Sequence, residues 1–231
     1  QLGDLVDRGP DPLGCVEIME EIVGSGAGEH VVGNHEYNAV GWFLGTRPRT
    51  ESNRRAFETT LRQIEAAPER WRRAEAFIRS RPLALEIGGV RCVHAAWRDD
   101  HAARLPANLS DDAVVRATRS DPALKTSVEY ALKGPEIASN ESFTDPEGVV
   151  RRRRRVPWWR EYPAEAPPVF FGHYWFGGAP KVLGPGGNAV GLDYSCGLGG
   201  PATAFRFPEG VFVSQPNLDA PPRPRPRSEF P

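Results

Sequence analysis

Residues 3–9 read GDLVDRG and residues 33–36 read GNHE. In the first stretch Asp4, Asp7 and Arg8 are framed by Gly3, Gly9 and Pro10, which is turn composition. Alone, Asp4 and Asp7 read equally well as turn or helix-cap residues ahead of Pro12. With GNHE following, two carboxylates and a guanidinium on a tight loop read as part of an active site.

The same grammar recurs further along. QLGD ends in Asp4, HVVGNH in Asn34 and His35, RCVHAAW carries His94, and PVFFGHYW carries His173. Each is read as a short apolar strand followed by a metal-type side chain where strand gives way to loop. In open α/β sheets, sites form at the carboxyl ends of strands. Three of the five histidines hold such positions. His94 or His173 alone reads as a satisfied core histidine; only the constellation reverses that.

Carboxylate, amide oxygen and neutral imidazole together suit divalent Mn, Fe or Zn. No thiolate joins the set, which argues against a structural zinc site. Two metals about 3.5–4 Å apart can polarise a phosphoryl group and activate water. Asp4, with two oxygens, is the natural bridge between them, and Arg8 matches phosphate oxygens in bidentate geometry.

These residues carry a resemblance. GDLVDRG with GNHE, then VHAAW (93–97), FFGHYW (170–175) and VGLDYSCGLGGPATAFRF (190–207), resembles the calcineurin-like metallophosphoesterases. The likeness is nearest the phosphoprotein phosphatase branch, which includes bacterial diadenosine tetraphosphatases. It spreads over most of residues 1–213 and is sharp at the motifs. It implies an α/β fold, a sandwich of two mixed β-sheets flanked by helices. It also implies that Asp4 bridges two metals, that Asn34, His94 and His173 complete one metal site, and that Arg8 clamps phosphate. His35 would be the general acid and Asp7 its orienting carboxylate. The family's second metal takes an Asp-x-His from a first strand. That motif is absent here, so the chain is expected to be N-terminally truncated with its second metal site incomplete. Many phosphodiesterase-like relatives carry a second histidine where Trp175 stands, which favours the phosphatase branch.

The remainder of the 231 residues suits one domain over 1–215 with a Pro-rich disordered tail over 216–231. Residues 11–23 have helical spacing after Pro12, and 51–80 predict two helices broken near Pro68. Residues 83–97 predict a hairpin about Gly88-Gly89, 110–133 helix in pieces, and the later apolar runs strands. Lys+Arg and Asp+Glu nearly cancel at a net charge of -1, so no global field points to nucleic acid or membrane. Cys15, Cys92 and Cys196 read as reduced thiols of a cytoplasmic protein, Cys92 as a small buried hydrophobe. His30 and His101 read as surface residues.

RRRRR (151–155), after the turn-like DPEG (145–148), suits an exposed hairpin strand. It reads as a solvated face, a clamp for a polyanionic substrate or a nucleic-acid contact, in that order. Trp158 and Trp159 just beyond it suit a base-stacking surface or a packed lid. The expected reaction is phosphoester hydrolysis by a metal-bound hydroxide, without a Ser or Cys nucleophile. Expected substrates are nucleotide polyphosphates or other small phosphorylated molecules, on the strength of the arginines beside the tryptophans. The alternatives are a serine/threonine protein phosphatase and, in another class, a non-catalytic binding domain that has lost a metal site.

Overall fold

Gly88 and Gly89 both take left-handed φ, 57° and 76°, and turn β1 (Ala84–Ile87) back onto β2 (Val90–Val93) as an antiparallel hairpin. In the computed structural model, which describes residues 1–144 and 150–218, this hairpin opens the main sheet. β2 runs parallel to β5 (Val169–Phe171), and β5 runs parallel to β7 (Ala189–Gly191). β6 (Val182–Leu183) pairs antiparallel with β7, giving a five-stranded mixed sheet in the order β1-β2-β5-β7-β6. Every residue of β5 and β7 is buried, as a strand covered on both faces requires. The parallel pairing aligns the carboxyl ends of β2, β5 and β7, so the segments after them emerge side by side.

Helices supply the flanking layers. In α1 (Pro12–Gly24) the Asp11 side chain caps Gly14 N–H and Pro12 takes the first turn. Its Leu13, Val16 and Met19 are buried, spaced for one helix face. α5 (Pro68–Ser80) buries Trp71, Ala74, Phe77 and Ile78, and is tied to α1 by Arg70–Glu17 and Arg73–Glu20 ion pairs. Residues 51–66 form two pieces, α3 (Glu51–Ala56) and α4 (Glu58–Ala66), not one. Phe57 breaks them at φ -117° and is wholly buried, so its core placement overrides helix continuity. α7 (Asp112–Ser120) and α8 (Pro122–Lys133) follow, capped by Asp111 and Asp121.

Two further antiparallel pairs complete the described β structure. β3 (Glu136–Thr144) pairs with β4 (Val150–Arg155), and β8 (Ala202–Arg206) with β9 (Val211–Gln215). Phe205 of β8 packs on Phe170 of β5 with ring centroids 5.7 Å apart, which layers this hairpin on the main sheet. The α/β class, mixed sheet and flanking helices agree with expectation.

Several local expectations do not hold. Residues 1–4 and 30–33 form no strand; Val31 N–H donates to Gln1 O and Val32 N–H to Pro82 O instead. GNHE opens α2 (Asn34–Phe43), not a loop. His30 is fully buried, stacked on Phe77 with Nδ1 2.6 Å from Gln1 Oε1. His101 is buried too, its Nδ1 3.0 Å from Ser127 Oγ and its ring on Tyr130. Trp158 and Trp159 are core residues packed around Phe171, so they offer no stacking face to a base. The DPEG turn and residues 219–231 of the Pro-rich tail lie outside the described residues.

Candidate active site

Five non-glycine residues have left-handed φ among the described residues: Asp4 (63°), Asp7 (69°), Arg8 (38°), His173 (64°) and Ser195 (63°). Each costs about 1–3 kcal/mol and persists only where its surroundings impose it. All five lie in the 3–9 loop or in the segments following β5 and β7. The loop can approach α2 closely because Gly3 and Gly33 face each other. A Cβ on Gly3 would fall 2.5 Å from Gly33 Cα, and one on Gly33 would fall 2.4 Å from Asp4 N and Oδ1.

Glu36, the last residue of GNHE, holds this loop. It is fully buried. Its Oε2 accepts from Gly33 N–H and Asp4 N–H, each at 2.8 Å, and its Oε1 accepts from Leu5 N–H and from Val6 N–H at 3.3 Å. One carboxylate thus satisfies four backbone donors that the non-helical loop and the helix start would leave open. Sequence reading passed over Glu36, although a Glu at the third helical position is a capping signal.

Asp4, Asn34, His94 and His173 converge beside this loop. Ligand atoms of Asp4, His94 and His173 all lie within 4.8 Å of one another. His94 follows β2 and His173 follows β5; Gly172 N–H donates to His94 O at 2.8 Å and locks the two strand ends together. His94 Nδ1 donates to Leu2 O at 2.6 Å. Its Nε2 lies 3.0 Å from Asn34 Oδ1 and 3.5 Å from Asp4 Oδ1. Imidazole nitrogen, amide oxygen and carboxylate oxygen this close together form a donor set that suits a divalent cation. The Nδ1–carbonyl bond is the orienting contact a metal-ligating histidine commonly has. Burial first, then Arg155, drive His173 well below the ordinary histidine range, so it is neutral as a ligand must be. Burial pushes Asp4 up, but His94, His35 and Arg8 outweigh it and hold the carboxyl low.

His35 stands next to Asn34 on α2 but turns to Asp7. Its Nδ1 lies 2.5 Å from Asp7 Oδ2 and its Nε2 lies 3.8 Å from Asp4 Oδ2. Burial pulls its pKa down, yet Asp4 and the Asp7 hydrogen bond prevail and lift it to about 9. Asp7 is itself fixed by Thr60 of α4, whose Oγ1 accepts from Asp7 N–H at 2.9 Å and donates to Asp7 Oδ1 at 2.6 Å. Thr60 is distant in sequence and carried no local signal. Asp193, after β7, completes the row of strand ends. Burial raises its pKa, and its Oδ1 accepts Ser195 N–H at 2.9 Å. Arg8 lies against Gly197 and under the Trp175 ring, its guanidinium carbon 5.6 Å from the centroid.

No protein-family model matches the chain. It is 30% identical over 223 residues to bis(5'-nucleosyl)-tetraphosphatase PrpE [asymmetrical] of Geobacillus thermodenitrificans, spanning 94% of this chain and 78% of that relative. The chain belongs to this family of metallophosphoesterases. A symmetrical bis(5'-nucleosyl)-tetraphosphatase of Ralstonia nicotianae is 26% identical over 240 residues, spanning 89% of this chain and 78% of the relative. A solved structure assigned as a diadenosine tetraphosphatase shares the fold at a TM-score of 0.52 and 20% identity, over 94% of this chain and 79% of that one. This metallophosphoesterase is accordingly a phosphohydrolase of a family that uses divalent metal, and the acceptor cluster of Asp4, Asn34, His94 and His173 suits such an ion. No helix among its described residues is long and apolar enough to cross a membrane.

Proposed function

We propose that this metallophosphoesterase hydrolyses nucleoside polyphosphates by direct attack of water, with no covalent intermediate on the protein. The observation that supports this reading best is the meeting of Asp4, Asn34 and His94 side-chain atoms beside the His35–Asp7 pair. Asp4, Asn34, His94 and His173 would hold divalent metal. Bound there, Mn, Fe or Zn would supply Lewis acidity toward the phosphoryl oxygens and the attacking water. Arg8 orients the phosphate as a bidentate donor. His35, lifted to about 9, is protonated at neutral pH. Asp7 holds its Nδ1, leaving Nε2 as the atom that gives a proton to the leaving oxygen. Thr60 fixes Asp7, and Glu36 fixes the loop that carries Asp4, Asp7 and Arg8. The relatives named above are tetraphosphatases of dinucleosides, which favours a phosphoanhydride over a phosphoprotein. The test compares kcat/KM for diadenosine tetraphosphate, p-nitrophenyl phosphate and a phosphoserine peptide, each with Mn. Preference for the tetraphosphate is expected. Preference for the peptide would replace this reading with protein phosphatase, and no turnover of any of the three would leave a binding domain.

A further inference from the structure

We infer that Thr60 of α4 is the positioning residue of the proton donor: it decides which Asp7 oxygen meets His35, and Gln63, one turn along the same helix, holds the chain that follows. The inference rests on the reading of His35 as the group that protonates the leaving oxygen. A carboxyl group turns easily about its last bond, because that torsion has broad wells. Asp7 therefore needs one oxygen fixed from outside before the other can hold an imidazole at a set angle. Thr60 Oγ1 does this, donating to Asp7 Oδ1 at 2.6 Å and accepting from Asp7 N–H at 2.9 Å. The two bonds fix the carboxylate and also the backbone of a residue held at a left-handed φ of 69°. Oδ2 is left for His35 Nδ1, 2.5 Å away.

A helical threonine often gives its O–H to a carbonyl three or four residues back. Thr60 gives its O–H to another segment instead. It is fully buried, and β-branching leaves its χ1 few choices, so the hydroxyl is preset toward Asp7. Gln63 stands three residues on, hence on the same helix face. Its Oε1 accepts from Leu13 N–H at 2.9 Å, one of the donors left open at the start of α1. Its Nε2 donates to Asp11 Oδ1 at 2.8 Å and to Pro10 O at 3.3 Å. One face of α4 thus grips the chain at residue 7 and again at residues 10–13, on either side of Arg8. Glu36 of α2 grips residues 4–6 of the same loop. The two helices therefore divide the loop, α2 holding the end with the candidate metal ligand Asp4 and α4 holding the end that orients the proton donor. Thr60 acts on proton transfer and not on metal binding.

The bland alternative is that Thr60 merely satisfies buried polar groups. Kinetics on the Mn-loaded full chain separate the two, using whichever of diadenosine tetraphosphate and the phosphoserine peptide the wild type turns over. Thr60→Val keeps the shape and removes the hydroxyl. It should lower kcat about 10- to 100-fold, the cost of a misplaced reacting group, with KM and Mn content at their wild-type values. Thr60→Ser, which keeps the hydroxyl, should recover most of that loss. In a His35→Asn background the donor is already gone, so Thr60→Val should change kcat by no more than about 2-fold. Should Thr60→Val fail to fold, Gln63→Leu runs through the same cycle, with a smaller loss that also vanishes in the His35→Asn background. An equal loss with and without His35 means that α4 does not act through the proton donor, and overturns the inference. So does a fall in Mn content, or a Thr60→Ser variant no better than Thr60→Val. A large loss in His35→Asn beside none in Thr60→Val overturns the inference while sparing the proton-donor reading. A His35→Asn variant with wild-type kcat, or a wild type that turns over neither substrate, overturns both.

Discussion

Glu36→Gln is the change that most directly tests how the site is held. The substitution conserves shape and removes one acceptor oxygen. In the wild type Oε2 serves Gly33 and Asp4 while Oε1 serves Leu5 and Val6, so the carboxylate accepts from both ends. An amide has one oxygen and one NH2. Whichever way it turns, two backbone N–H groups lose their acceptor and face a donor. Burial, then the Asp4 carboxylate, push the Glu36 pKa up. The amide donors oppose this, and a proton on either oxygen would point at an N–H. Hydrogen bonds to a charged group are worth about 1.5–3 kcal/mol each, so losing two costs about 3–6 kcal/mol. Release of the desolvation penalty on the buried charge offsets part of that. Set against an ordinary domain stability of about 5–15 kcal/mol, even the lower figure is severe. Urea unfolding followed by tryptophan fluorescence gives the loss directly. The Asp4 loop should loosen with it, so Mn content by elemental analysis should fall as well. A loss under about 1 kcal/mol with full metal content would refute the assignment of Glu36 as the ionised clamp of the loop.

His35→Asn should lower kcat by about 10²–10⁴ with metal retained, and less for p-nitrophenyl phosphate than for poorer leaving groups; equal losses on both would argue against proton donation. Metal binding at Asp4 should lower the His35 pKa from about 9, since Asp4 is what raises it most; an NMR titration of the His35 ring that is unmoved by Mg or Zn would contradict the shared site. His30 is buried and held at about 3 by desolvation and nearby positive charge. The unfolded chain takes up this proton first, so stability is complete above about pH 6.5 and is lost as pH falls toward 3, by at most about 4 to 5 kcal/mol. His30→Gln should flatten that slope in urea titrations run from pH 7 to 4, and an unchanged slope would show that His30 is not the source.

What could be read from the residues alone follows the range of the forces involved. The α1 start is local: Asp11 caps and Pro12 presets the first turn. So is the Gly88-Gly89 turn, where two left-handed residues leave few other choices. His94 and His173 were legible because each ends a strongly apolar run, and parallel pairing of β2 with β5 does the rest. Burial of His30, His101, Trp158 and Trp159 was not legible. Their partners, Phe77, Ser127 and Phe171, come from other segments, and nothing local distinguishes a buried histidine from an exposed one. Thr60 escaped for the same reason. The arginine run reads as an exposed hairpin strand, and Arg152, Arg153 and Arg154 of β4 are exposed, whereas nothing local marks Arg155, which is half-buried and donates from Nη1 to His173 O at 2.8 Å.

The distribution of strained backbone gives an independent argument for where function lies. Turns elsewhere in the chain use glycine for left-handed φ, as at Gly26, Gly45, Gly88, Gly89 and Gly210. At Asp4, Asp7, Arg8 and His173 the same backbone conformation carries a side chain instead. Glycine would remove the cost at each. A fold under pressure for stability alone would use glycine there, as it does at the other turns. Asp4 and His173 bring acceptor atoms to one cluster, Asp7 holds the His35 ring, and Arg8 lies on Trp175. These side chains do little for the hydrophobic core, which lies among the helices and around the aromatic cluster. The strain is therefore tolerated for what the side chains do at the loop, and the four donors to Glu36 are the means by which the rest of the structure sustains it.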